Sequence, residues 1–160
     1  MKHAALALVA CVGCKADLPP LTDANRTLDT VCRGPYADTL VDTVPTSLPN
    51  ASAVLGAPDG TSVSVAANNV ITVGFVGLGA ITDVSGADLK LDASVPTGSR
   101  AIVRVAATNM QFVYAGELTP SSTMFDLQVA MLPDASYVRI VGVTGTIAID
   151  SVEAVHDKCR

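Results

Sequence analysis

From Thr39 onward the chain alternates apolar and polar positions in short runs, each ended by a turn-forming residue. Val63, Val65 and Ala67 alternate with Ser62, Ser64 and Ala66; Asn68-Asn69, which tolerates left-handed turn geometry, separates them from Ile71, Val73 and Phe75. Leu89 and Leu91 alternate with Asp88, Lys90 and Asp92, and Ala101, Val103 and Val105 with Arg100, Ile102 and Arg104. Asn109-Met110 then turns the chain into residues 111–118, Val138 and Ile140 oppose Tyr137 and Arg139, and Ile147 and Ile149 open the last run. A period of two puts alternate side chains on one face of a pleated strand. Eight or nine such runs at close spacing, without a helical period, predict an all-β jelly-roll sandwich. In the last run Val152 falls out of parity with Ile147 and Ile149, so a bulge near Asp150-Ser151 is expected to return it to the core. Phe112 and Phe125, which have no polar handle, are expected in that core.

Composition narrows the possibilities. The 160 residues suit one domain with its own core. Hydrophobic residues make up 49% and aromatics only 4%, with no Trp, so the core must be aliphatic. Val and Ile, with many Thr and Ser, favour strands. The net charge of −5 and the lack of a Lys/Arg cluster exclude nucleic acid as a partner, because phosphate binding requires a basic footprint.

The N-terminus has the layout of an export signal: Met1-Lys2-His3, then an apolar run from Ala4 to Gly13 broken only by Cys11. The run is too short for a membrane-spanning helix, which takes about 20 residues. Leu8-Val9-Ala10-Cys11 and Cys11-Val12-Gly13-Cys14 both resemble a bacterial lipobox. The second leaves the longer signal and an even cysteine count, so Cys14 is the expected lipidation site and Cys11 the alternative. Residues 1–13 are then the signal, 14–35 a lipidated tether rich in turn formers, and 36–160 the folded domain. Cys32 and Cys159 remain, and an oxidising compartment would join them in a disulfide across almost the whole domain. In the chain-entropy model so long a loop stabilises by about 4–5 kcal/mol. The sequons Asn25-Arg26-Thr27 and Asn50-Ala51-Ser52 carry little weight in a bacterial chain.

Several segments together resemble the discoidin-like, or galactose-binding-like, jelly rolls of bacterial surface proteins. Residues 103–116 resemble a strand pair of that family, 135–140 its penultimate strand and 149–155 its closing strand. Residues 55–60 and 81–89 resemble segments that accompany these strands in cell-surface proteins. Two features depart from the family: Asn109-Met110 stands where Asp-Gly is usual, and the Trp-containing binding surface is missing. The resemblance implies a β-sandwich that binds glycans or surfaces, sometimes with structural calcium; sites, not folds, decide the ligand.

Candidate chemistry is sparse. Asp59, Asp83, Asp88, Asp150 and Glu153 fall in or beside expected loops, where carboxylates and carbonyls could supply the six to eight oxygens of Ca²⁺; the same acids also suit solvated turns. Arg100 and Arg104 share one strand face and Tyr137 and Arg139 another, and pairing of those strands would make a patch suited to sugar hydroxyls or carboxylates. A plain solvated sheet face has the same pattern. His3 would leave with the signal, so an esterase-like relay would have to use His156, and no Gly-x-Ser-x-Gly elbow accompanies it. Gly74-Phe75-Val76-Gly77-Leu78-Gly79 has the wrong spacing for a dinucleotide loop and suits a strand end and turn. No Cys/His cluster has zinc spacing.

The sequence therefore predicts a non-catalytic glycan-binding or adhesive module, held by lipid at a bacterial outer membrane or cell surface, or on its periplasmic face. The alternative is a structural envelope lipoprotein that contacts proteins and binds no glycan.

Overall fold

The computed structural model describes residues 34–75 and 81–157, and all element assignments below refer to these. The signal, Cys11, Cys14, Cys32, Cys159 and the expected turn at Gly77–Gly79 lie outside the described residues.

The chain is all-β, with eight strands of four or more residues and three of two residues. In order they are β1 (Thr39–Val44), β2 (Val63–Ala66), β3 (Val70–Gly74), β4 (Ile81–Thr82), β5 (Leu89–Ser94), β6 (Arg100–Ala106), β7 (Val113–Leu118), β8 (Met124–Phe125), β9 (Asp134–Ala135), β10 (Tyr137–Thr144) and β11 (Thr146–Ala154). Single 3-10 turns occupy Ala51–Val54 and Leu127–Ala130. All pairings are antiparallel. One sheet runs β1-β3-β10-β6-β7, a second β2-β11-β5-β8, and β4 with β9 makes a small third.

The two large sheets enclose one core, as the alternation requires. Ile71, Val73, Val103, Val105, Val138 and Ile140 point inward from the first, and Val63, Val65, Leu89, Leu91, Ile147 and Ile149 from the second. The expected bulge is present: pairing of β11 with β5 shifts between Ile149 and Ser151, and Ile149 and Val152 are both buried. Bulging leaves Asp150 unpaired, and its carboxylate turns toward the loop at residues 59–60.

The sheets are joined at one corner by two tight crossover turns. The β2–β3 turn passes through Asn68, whose φ is 67°, and the β10–β11 turn through Gly145, whose φ is 65°. Left-handed backbone is least costly for Gly and Asn, and each turn places it there. The two turns interlock at Gly142, whose amide donates to the Asn69 carbonyl and whose carbonyl accepts from the Asn68 amide, both at 2.9 Å.

Residues entering the domain lie against those leaving it. The Ala37 amide donates to the Val152 carbonyl, the Ala154 amide donates to the Pro35 carbonyl, and Tyr36 bridges Glu153. Pro35, placed in the tether by sequence, thus already pairs with the closing strand.

Phe125 is core, as expected, and packs against Gly116 in the opposite sheet. Phe112 is not. It is half-buried and stands outside the core cluster, because it precedes β7 and its ring lies beneath the guanidinium of Arg139.

Candidate functional site

Strand register brings four of the expected ligand-binding positions onto the five-stranded sheet, and three of them together. Arg139 on β10 pairs with Arg104 on β6, Arg104 with Tyr114 on β7, and Arg139 with Thr72 on β3, which pairs with Asp42 on β1. Asp42, Thr72, Arg139, Arg104 and Tyr114 therefore form one row across all five strands. Inward parity is taken by Ile71, Val103 and Ile140, so this row lies on the outer face.

Arg139 is held in place by its neighbours. Its Nε donates to Thr72 Oγ1 at 3.0 Å, and its guanidinium carbon sits 3.9 Å from the centre of the Phe112 ring. A cation over an aromatic face contributes about 0.5–1 kcal/mol at an exposed site. Ala106, opposite Tyr137 on β6, is fully buried yet stands outside the core cluster, so it is covered from the outer side. Arg104 is exposed, and its neighbour Tyr114 is 50% exposed.

Beside this row a cleft of about 420 Å³ opens between the ends of β1, β3 and β10 and the loop at Thr108–Met110. Val41, Phe75 and Met110 give it apolar walls, and Tyr137 borders it. The volume falls within the range of small-molecule sites. A Cβ on Gly74 would approach Tyr137 Cε1 to 3.2 Å and Val41 Cγ2 to 3.3 Å, so a side chain there would crowd the Tyr137 ring. The ring thus lies over bare backbone, two residues along β10 from Arg139 and on the same face.

Arg100 does not join the group. It sits four residues before Arg104, or roughly 13 Å along the strand, and its guanidinium pairs with Glu117 Oε1 at 3.1 Å.

The five acids named as metal ligands separate. Asp150 accepts from the amides of Asp59 and Gly60 at 3.2 and 2.9 Å, and Asp59 accepts from Thr61 N at 2.7 Å. Glu153 faces Lys90 at 3.6 Å. Asp83 and Asp88 do approach one another, joined by Asp126, with one oxygen from each within 4.8 Å of the others. Asp88 is fully buried, and its two oxygens accept from Val84 N at 3.0 Å and Leu127 N at 2.9 Å. Asp126 accepts from Gln128 N at the start of the second 3-10 turn. Asp88 is thus occupied in capping the buried Leu127 amide, which would be costly to leave without an acceptor, and Asp126 in capping the exposed Gln128 amide. Sequence reading passed over Asp126 because it lies far along the chain from Asp83 and meets it only through the pairing of β5 with β8.

The His156 carbonyl accepts from Thr82 N, while its imidazole hydrogen-bonds to none of the described residues.

Phe112 was expected in the core, and Tyr114 was legible only as part of the run at residues 111–118. Their place on the outer face follows from the register shift between Val103 and Arg104, which leaves Ala115 buried and turns Tyr114 outward.

No family model matches the chain, and no curated protein matches its sequence.

Proposed function

We propose that this chain is an exported, lipid-anchored, non-catalytic module that binds glycan on the outer face of its five-stranded sheet. One observation carries the reading: Phe112, Tyr114, Tyr137, Arg104 and Arg139 gather on that face beside a cleft, although the chain has only three Phe and three Tyr. In a domain short of aromatics, burial would be their ordinary use. Aromatic and Arg side chains on an outer face are instead the composition of recognition surfaces, since they offer large rigid area with polar edges. Tyr137 supplies a face for a sugar ring, and the guanidinium edges supply donors for its oxygens.

The two large antiparallel sheets and the bulged closing strand support the discoidin-like jelly-roll reading. Pairing of residues 35–37 with 152–154 supports a Cys32–Cys159 disulfide, since these paired residues stand three and five positions from the two cysteines in sequence. Lipid on Cys14, or on Cys11, and the tether up to residue 35 would hold the domain at an outer membrane or cell surface, or on the periplasmic side. The calcium that the resemblance implies fits Asp83, Asp88 and Asp126, three hard-oxygen donors that provide part of the six to eight ligands Ca²⁺ takes.

A second reading, an envelope lipoprotein with a protein partner, draws on a different surface. Met124, Val129 and Met131 are 51, 57 and 89% exposed within one short segment.

A glycan-array screen of the full chain, in calcium and again in EDTA, tests the first reading. Selective binding lost in Tyr137→Ala supports it. Loss of binding in EDTA assigns the metal to the acidic cluster. Silence in both conditions, together with capture of an envelope protein that Met131→Asp abolishes, supports the second reading instead.

A further inference from the structure

Resting on the glycan reading, we propose that the site selects acidic glycans, with Arg104 and Arg139 jointly receiving a carboxylate or sulfate on the sugar chain. Four Lys and Arg side chains lie among the described residues. Two are neutralised on the surface, Lys90 by Glu153 and Arg100 by Glu117. The other two, Arg104 and Arg139, face each other on adjacent strands, and neither forms an ion pair with any described residue. Among the described residues of this acidic chain, the two cations without an ion pair are the ones placed together.

Like charges directly opposite in an antiparallel pair destabilise a sheet. The nearest acid in their row is Asp42, beyond Thr72 and so two strands, roughly 10 Å, from Arg139 and three, roughly 14 Å, from Arg104. An anion seated between the two guanidinium groups relieves their repulsion, and the protein's own surface offers none in that row at shorter range.

Arg139 is also prepared for this role before ligand arrives. With Nε engaged by Thr72 and the guanidinium carbon over the Phe112 ring, the terminal Nη groups form no hydrogen bond to a described residue and remain for a ligand. They match a pair of carboxylate or sulfate oxygens bidentately, and a side chain already held loses little freedom on binding. Arg104, exposed, closes from the neighbouring strand. Tyr137, two residues along β10, and the cleft beside it accept the sugar ring that carries the acidic group. The ligand class is thus set by charge at the Arg pair and by stacking at Tyr137.

The test uses the full chain and polysaccharides paired to differ in charge alone: polygalacturonate against its methyl ester, and dextran sulfate against dextran. Isothermal titration at 50 and 300 mM NaCl is expected to show binding to at least one acidic member and at least tenfold weaker binding to its neutral counterpart. Affinity should fall severalfold at the higher salt, because the contact is ionic. Arg104→Gln and Arg139→Lys should each weaken acidic binding tenfold or more with the melting temperature kept, the second because Lys cannot bind bidentately, while Arg100→Gln should change nothing. Equal binding to both members of each pair, or binding to neutral glycans only, would overturn the acidic selectivity and leave the glycan reading standing. Binding to anionic lipid vesicles but to no polysaccharide, or silence on all probes and on the array, would overturn both.

Discussion

The carboxylate of Asp150 clasps the turn at Gly60, accepting from the amides of Asp59 and Gly60 from a bulge on the closing strand. The bulge therefore serves both sides of the sheet: it returns Val152 to the core and aims Asp150 at a loop some 90 residues earlier in the chain. Both bonds are exposed, so their joint worth is modest. Asp150→Ala should lower stability by about 1 kcal/mol, read by urea denaturation, with glycan affinity unchanged. A loss of ligand affinity without a loss of stability would make Asp150 a site residue and contradict the clasp.

Gly142 should tolerate no side chain. An added Cβ would run into the Ala66 carbonyl, and backbone cannot yield as a side-chain end does. Gly142→Ala should cost about 3 kcal/mol, the upper range for forced overpacking, since it separates the two crossover turns that join the sheets. Gly74→Ala would meet only side chains, Tyr137 and Val41 at 3.2 and 3.3 Å, and should cost less because they can shift. Equal melting temperatures for the two variants would show that the corner is not packed as described.

Arg104→Gln should leave the protein as stable or raise its stability by about 0.5 kcal/mol, because it removes one of two facing cations. The gain should shrink as salt rises. Thermal unfolding at 20 and 300 mM NaCl checks both statements. A destabilised variant at low salt would mean that Arg104 has a structural partner, and the repulsion argument would fail.

Much of this architecture was legible because burial obeys a period of two. Val63, Val65, Ile71, Val73, Val103, Val105, Val138 and Ile140 all face the core as their spacing required, and the parity break before Val152 disclosed the bulge. The site was legible only in part. That Arg104 and Arg139 share a face could be read from alternation, but that they are direct partners depends on which strands pair, and β6 and β10 are far apart in sequence. Phe112 was misplaced because a large apolar residue suggests burial in the core, whereas its position before β7 leaves it beneath Arg139 on the outer side. The acids were legible as turn formers: Asp is chosen at turns for the amides it can accept from, and Asp150, Asp59 and Asp88 are all occupied in that way.

The proposed linkage between Cys32 and Cys159 is favoured by the meeting of the first and last described residues of the domain. Pro35 and Ala37 pair with Ala154 and Val152, so each cysteine lies only a few residues beyond a fixed antiparallel contact. Peptide mapping of the exported protein without reductant should recover the two cysteine peptides joined, and reduction should lower the melting temperature. Free thiols at both positions would contradict the linkage.

The most direct test of the account is an amide-shift titration of the isotopically labelled protein with the glycan of highest affinity. The account predicts perturbations concentrated at residues 104–106, 112–114 and 137–139 and at Gly74, on the outer face of the five-stranded sheet. Shifts confined to residues 83–88 and 126–128, or to the turn at 58–60, would place the ligand elsewhere and contradict it.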